Sequence, residues 1–220
     1  MHRPVSPSPT LPTIARRRLL ASGAAAVSAV ALPALLGQAW AQARQLPLTP
    51  SQSEGPFYPL TLPTDSDFDL LRNGTAAYRH GQPAWVEGTV RDIAGRPVAG
   101  AVVEIWQCDQ AGHYHHPGDG GRADPAFQGF GRVAVGPDGS YRFRTLKPAA
   151  YTGRAPHIHV KVRLDRKDLL TTQLYVAGEP ANERDFLWRR LSLEGQAALT
   201  APFTAAGDGL VARFPLVVQA

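Results

Sequence analysis

Alternation between apolar and polar positions organises the chain from residue 85 onward. Trp85-Val-Glu-Gly-Thr-Val-Arg91 reads as a strand and Asp92-Ile-Ala-Gly-Arg-Pro97 as the turn after it. Val98-Ala-Gly-Ala-Val-Val-Glu-Ile-Trp106, Arg132-Val-Ala-Val135 and Ser140-Tyr-Arg-Phe-Arg-Thr-Leu146 continue the pattern, with Gly136-Pro-Asp-Gly139 as a strong turn signal. Pro156–Leu164, Leu170–Val176 and Leu210–Val218 read as further strands. A period of two marks half-buried strands. Several short strands separated by Gly, Pro and Asp turns predict an all-β fold, a sandwich of mostly antiparallel strands. One segment, Glu183 to Leu199, predicts an amphipathic helix with Phe186, Leu187 and Leu191 as its apolar face. Ahead of the strands, Ser53-Glu-Gly-Pro-Phe-Tyr-Pro59 is a turn-rich, aromatic loop, and residues 60–83 read as an irregular covering segment.

The first 41 residues follow a different logic. Arg16-Arg17-Arg18 precede an apolar run from Leu19 to Leu36, and Ala39-Trp-Ala41 offers small residues at a cleavage position. This order is that of an export signal, and the consecutive arginines point to the twin-arginine route. The division expected is residues 1–41 as signal and 42–220 as one domain, placed in the periplasm or outside the cell. Pro33 interrupts the run, which is short for a membrane-spanning helix. No membrane association is expected once the signal is removed.

Charge changes meaning once this segment is set aside. The whole chain carries 23 basic and 18 acidic residues, a net of +5. Four of the basic residues and none of the acidic ones lie in residues 1–41, so the remainder is nearly neutral. Nothing in it argues for a nucleic-acid partner. Cys108 is the one cysteine, so no intrachain disulfide forms, and its place in an alternating strand predicts a small buried hydrophobe.

The candidate chemistry lies in Tyr151-Thr-Gly-Arg-Ala-Pro-His-Ile-His159. Positions i and i+2 of a strand share a face, so His157 and His159 converge while Ile158 and Val160 face the core. With Tyr114 and Tyr151 they would form a hard N2O2 donor set, better suited to trivalent iron than to zinc. His113, His115 and His116 around Tyr114 read as a polar loop, His80 as solvent-facing, Trp106 as core, and Glu104 and Asp109 as structural.

Six segments in order identify a resemblance: Ser53-Glu-Gly-Pro-Phe-Tyr58, Glu104-Ile-Trp-Gln-Cys-Asp109, Asp124-Pro-Ala-Phe-Gln-Gly-Phe-Gly-Arg132, Thr145-Leu-Lys-Pro-Ala-Ala-Tyr151, Arg154-Ala-Pro-His-Ile-His159 and Thr171-Thr-Gln-Leu-Tyr175. The chain resembles the intradiol ring-cleavage dioxygenases, in their protocatechuate 3,4-dioxygenase branch, from about Thr49 to Ala220. The resemblance implies non-haem Fe(III) held by Tyr114, Tyr151, His157 and His159, with a catechol-type substrate and O2 as partners. It implies catalytic roles for Tyr151, Arg154 and Gln173, with Tyr151 taking a proton as substrate arrives and Arg154 stabilising charge on the ring. It places Gly55, Pro56 and Tyr58 at the substrate pocket. His157 follows Tyr151 by only 6 positions. That loop is shorter than in the protocatechuate enzymes, so a more open pocket and a different or broader catechol preference are expected. All four ligands lie on one chain, so no second subunit type is needed, and a homo-oligomer is compatible with the pattern. The alternative from another class is a non-catalytic periplasmic binding module on the same sandwich, with a relic metal site.

Overall fold

The computed structural model describes residues 45–220. The export-signal expectation for residues 1–41 lies outside the described residues. Among the described residues no helix is long and apolar enough to cross a membrane.

The strands run in chain order. A small hairpin, β1 (Arg72–Asn73) and β2 (Ala76–Ala77), comes first. Then follow β3 (Pro83–Asp92), β4 (Val102–Trp106), β5 (Phe130–Ala134) and β6 (Ser140–Leu146). After these come β7 (His157–Leu164) and β8 (Lys167–Val176), helix α1 (Leu193–Leu199), and β9 (Thr200–Ala201). Finally come β10 (Thr204–Ala206), β11 (Gly209–Arg213) and β12 (Leu216–Val218). Two five-stranded sheets result. One is built on β3, with β6 on one edge and β11 and β12 on the other, β10 lying outside β11; the second has the order β5-β4-β7-β8-β9. Val86, Val90 and Phe143 from the first sheet and Val103, Ile105, Ile158, Val160, Leu170 and Leu174 from the second share one buried core.

The expected sandwich is present, with two departures. β11 and β12 run parallel to β3, and β9 runs parallel to β8, so the sheets are mixed. The stretch Leu210–Val218, expected as one strand, is broken at Phe214-Pro215. Proline cannot donate to the ladder. The Phe214 carbonyl instead leans over Gly88, where an added Cβ would sit 2.2 Å from it, and accepts a bond from the Tyr141 hydroxyl. Glycine at position 88 is required by this close approach.

The expected helix over 183–199 is a correction. Only Leu193–Leu199 is α-helical, preceded by 3-10 turns at Pro180–Arg184 and Trp188–Arg190. Asp185 is extended, and its carboxylate accepts the backbone N–H groups of Leu187 and Trp188. That local competition stops the helix. It restarts at Ser192, whose hydroxyl accepts the Gly195 N–H as an N-cap. Phe186, expected on an apolar face, is 53% exposed.

The amino-terminal segment ties both sheets together. Thr49 exchanges hydrogen bonds with Val217 on the first sheet, while Gln52 N–H donates to Thr171 O and Pro50 O accepts from Thr172 on the second. This crossing lays Ser53–Tyr58 over the outer face of the second sheet.

Candidate metal centre

The outer face of the second sheet is buried although it carries polar side chains. Register pairs Trp106 and Gln173 with His159, Glu104 with Lys161, and His157 with Tyr175. Paired residues share a face, so these side chains form one layer opposite the Ile158 and Val160 core. His157, His159, Gln173, Glu104 and Tyr175 are each at most 1% exposed. Such groups stay buried only when they are bonded or hold something.

Two loops bring the tyrosines to this face. Tyr114 sits on a loop organised by carboxylates: Asp109 accepts the N–H groups of Ala111, His113 and Asp124, and Asp119 accepts that of Tyr114. Gly112 lets this loop press on the neighbouring one, since a Cβ there would lie 2.8 Å from the Ala150 carbonyl oxygen. Tyr151 opens a tight turn closed by Arg154 N–H to Tyr151 O, with Gly153 at φ 78° as such a turn requires. This turn is how only 6 positions separate Tyr151 from His157.

The four rings then converge. Tyr114 and Tyr151 lie 5.2 Å apart centroid to centroid, Tyr151 and His157 5.4 Å, and Tyr114 and His159 6.0 Å. His157 Nδ1–H donates to Ala155 O at 2.6 Å, which leaves its Nε2 bare. That nitrogen faces His159 Nε2 at 3.1 Å. Nitrogen ligands about 2.1 Å from one metal ion and at right angles to each other would lie about 3 Å apart. The Tyr114 hydroxyl and His159 Nδ1 are buried with no partner. Burial, with Arg154 nearby, pulls His157 down to about 4 and, with His157 adding to it, holds His159 well below the usual histidine range. Burial pushes Tyr114 well above the usual tyrosine value and raises Tyr151 against the opposing pull of Arg154. A low-dielectric cage with two neutral imidazoles, an orphaned phenol and a second phenol fits a hard cation, which would convert the phenols to phenolates. Among the described residues there is no cluster of three or more His, Cys, Asp or Glu that could hold a metal, so this mixed set is the candidate.

Arg154 and Gln173 meet as well. Arg154 donates to Gln173 Oε1 at 2.6 Å, to the Tyr175 hydroxyl at 3.2 Å and to the Tyr151 hydroxyl at 3.4 Å. Gln173 in turn donates to Ser53 O. The three residues expected at the pocket separate. Gly55, at φ 74°, lies against the site, where a Cβ would be 3.4 Å from His159 Cε1. Pro56 is exposed. Tyr58 turns away to donate to Glu104 at 2.8 Å, edge-on to Trp106. Its neighbour Phe57 stacks on Tyr114 at 4.6 Å and meets Tyr151 edge-on.

Sequence reasoning missed three contributors. Trp106, read as core, lies parallel to His159 at 4.7 Å and fixes its ring plane. Phe57 seals Tyr114. Asp185 holds Arg154 at 2.8 Å. Only the aromatic run around Phe57 carried a signal; the other two depend on register and on a contact 31 residues away in sequence. Cys108 is buried beside Ala149, and burial pushes its thiol up to about 12, consistent with a packing role. A concavity of about 910 Å³ lies elsewhere, around Trp85, Arg142 and Arg213. The donor geometry, and not cavity size, locates the site.

The chain is similar to known proteins in sequence and in fold. A family model described as Dioxygenase matches residues 53–214. The protocatechuate 3,4-dioxygenase beta chain of Burkholderia cepacia is 35% identical over 164 residues, covering 68% of this chain and 64% of that one. Hydroxyquinol 1,2-dioxygenase of Rhodococcus opacus is 35% identical over 156 residues, covering 62% and 49%. Among solved structures, the dioxygenase domain of a dioxygenase carbohydrate-binding protein fusion from Streptomyces sp. SirexAA-E is 33% identical. It has a TM-score of 0.63 and covers 79% of this chain and 99% of that one. The chain spans about half to two thirds of the length of the curated relatives it matches. With a family match over most of the described residues, and a fold shared with a solved member, the chain belongs to the intradiol ring-cleavage dioxygenase family.

Proposed function

We propose that this chain is a non-haem Fe(III)-dependent intradiol dioxygenase. It cleaves a catechol-type ring with O2 between the two hydroxylated carbons, giving a cis,cis-muconate-type diacid. One observation carries the reading: two buried imidazole nitrogens 3.1 Å apart, in a cage that also holds two tyrosines. Tyr114, Tyr151, His157 and His159 would hold the iron, which when bound supplies a Lewis acid that makes the catechol hydroxyls acidic.

The chain's own residues do the rest. Tyr151 is the half-buried member of the four, so its oxygen, once held as phenolate by a bound cation, is the one that would take a proton from an arriving catechol hydroxyl. Arg154, held by Asp185 and Gln173, keeps a fixed positive charge beside that oxygen, where negative charge develops on the substrate. Phe57, Trp106 and Phe130 wall the site against water, which strengthens these electrostatic effects.

The test loads the purified protein with iron and records its visible spectrum and O2 uptake with catechol, protocatechuate and hydroxyquinol. The names of the relatives motivate the last two substrates. A tyrosinate-to-iron band that moves on adding catechol without oxygen, with turnover lost in Tyr151→Phe, supports the proposal. A colourless protein that consumes no O2 overturns it and favours the binding module. Export by the twin-arginine route belongs to the same proposal, supported by Arg16-Arg17-Arg18 ahead of the apolar run. Cell fractionation checks it, the expected outcome being retention inside the cell when Arg17 and Arg18 become lysine.

A further inference from the structure

We propose that Asp185 is a positioning residue that orders two of the four candidate donors at once. It fixes Arg154 beside Tyr151, and it fixes the His157 ring through the backbone of Ala155. The proposal rests on the iron-site reading and adds to it the device that sets the site's shape.

The carboxylate is 1% exposed and lies in the break of the 183–199 segment. One oxygen, Oδ2, accepts from Arg154 Nε at 2.8 Å and from Ala155 N–H at 2.9 Å. The other, Oδ1, accepts from Leu187 N–H at 3.0 Å, Trp188 N–H at 3.1 Å and Arg154 Nη2 at 3.4 Å. Burial alone would raise this carboxyl, but Arg154 and the backbone donors outweigh it and hold it below the usual carboxylate range.

Two arms leave this carboxylate. The first runs through Arg154 to the hydroxyls of Tyr151 and Tyr175 and to Gln173. The second runs through Ala155, whose N–H is held by Asp185 and whose carbonyl accepts His157 Nδ1–H. The ring is thereby held as the Nδ1–H tautomer, with Nε2 free to bind a cation. Partners behind ligand histidines commonly act this way. Every group facing Asp185 is a donor. Asparagine, nearly isosteric, must turn its NH2 toward either the ligand loop or the 187–188 turn, and one of them is released.

The experiment compares wild type, Asp185→Asn and Arg154→Ala as full-length chains. The metal-free proteins are examined by nitrogen NMR of the histidine rings, and the iron-loaded proteins by visible spectrum, iron affinity and kcat. Wild-type His157 is expected as the Nδ1–H tautomer. In Asp185→Asn that signal broadens or moves toward the Nε2–H form, the iron band shifts, and iron affinity or kcat falls about 10–100-fold. In Arg154→Ala, kcat falls while the His157 signal stays put, because the Ala155 arm is intact. Either a wild-type His157 bearing its proton on Nε2, or an Asp185→Asn protein unchanged in NMR and spectrum, overturns the positioning role. So does a His157 change reproduced by Arg154→Ala. If Asp185→Asn does not fold, the wild-type tautomer and Arg154→Ala still decide. Wild type without band or O2 uptake but with the expected tautomer sinks the iron reading alone.

Discussion

Lys161→Met is expected to destabilise the protein by about 2 kcal/mol and to loosen the strap over the site. Lys161 is only 6% exposed in its side chain and forms an ion pair with Glu54, which is 42% exposed. Asp168, 49% exposed, lies 3.6 Å away. The ammonium also rests 4.0 Å over the Tyr58 ring, and Tyr58 donates to the fully buried Glu104. Glu104 is the register partner of Lys161 but forms no ion pair with it; its partners are Tyr58 and, at 3.9 Å, Arg163. Breaking a fully buried pair costs about 3–5 kcal/mol. Exposed pairs contribute about 0–1 kcal/mol. Lys161 is buried while its partners Glu54 and Asp168 are half-exposed and regain water, so the expected cost falls between those limits. Methionine keeps most of the buried stem, which makes the charge the main variable. Urea unfolding measures the loss, with the slope unchanged if the native fold is retained. The reasoning is refuted if Lys161→Met stays within about 0.5 kcal/mol of wild type, the ordinary scatter of surface substitutions.

Three further outcomes follow from the same geometry. Gly55→Ala places a side chain at φ 74° and toward His159, so a loss of about 1 kcal/mol is expected by urea unfolding, together with a shifted iron band. Cys108, buried and with its thiol pushed up to about 12, is expected to resist thiol reagents in the native protein at neutral pH and to react fully in urea. The folded-state pKa of Asp185 lies below the ordinary value, so its stabilisation is complete above about pH 4 and drains as pH falls through the folded value. Asp185→Asn is therefore expected to show a shallower loss of stability below pH 4 than wild type in acid titrations followed by circular dichroism.

The sequence by itself determined what local periodicity can determine. Alternation located most of the principal strands, and the i, i+2 spacing put His157 and His159 on one face with Ile158 and Val160 on the other. The spacing of 6 positions between Tyr151 and His157 announced a short loop before the first histidine. Side-chain period and turn chemistry act over two to four residues, so they can be read from the chain directly. Tertiary structure decided everything that depends on which strand lies beside which. Sheet register stacked Trp106 on His159, and pairing with β3 in parallel split the last strand at Phe214-Pro215. The pull of Arg154 and three backbone N–H donors on Asp185 broke a segment whose pattern favoured a helix. It also tied residues 31 positions apart into one hydrogen-bonded frame. These outcomes turn on long-range contacts, whose energies exceed the local propensities they override and leave no period in the sequence.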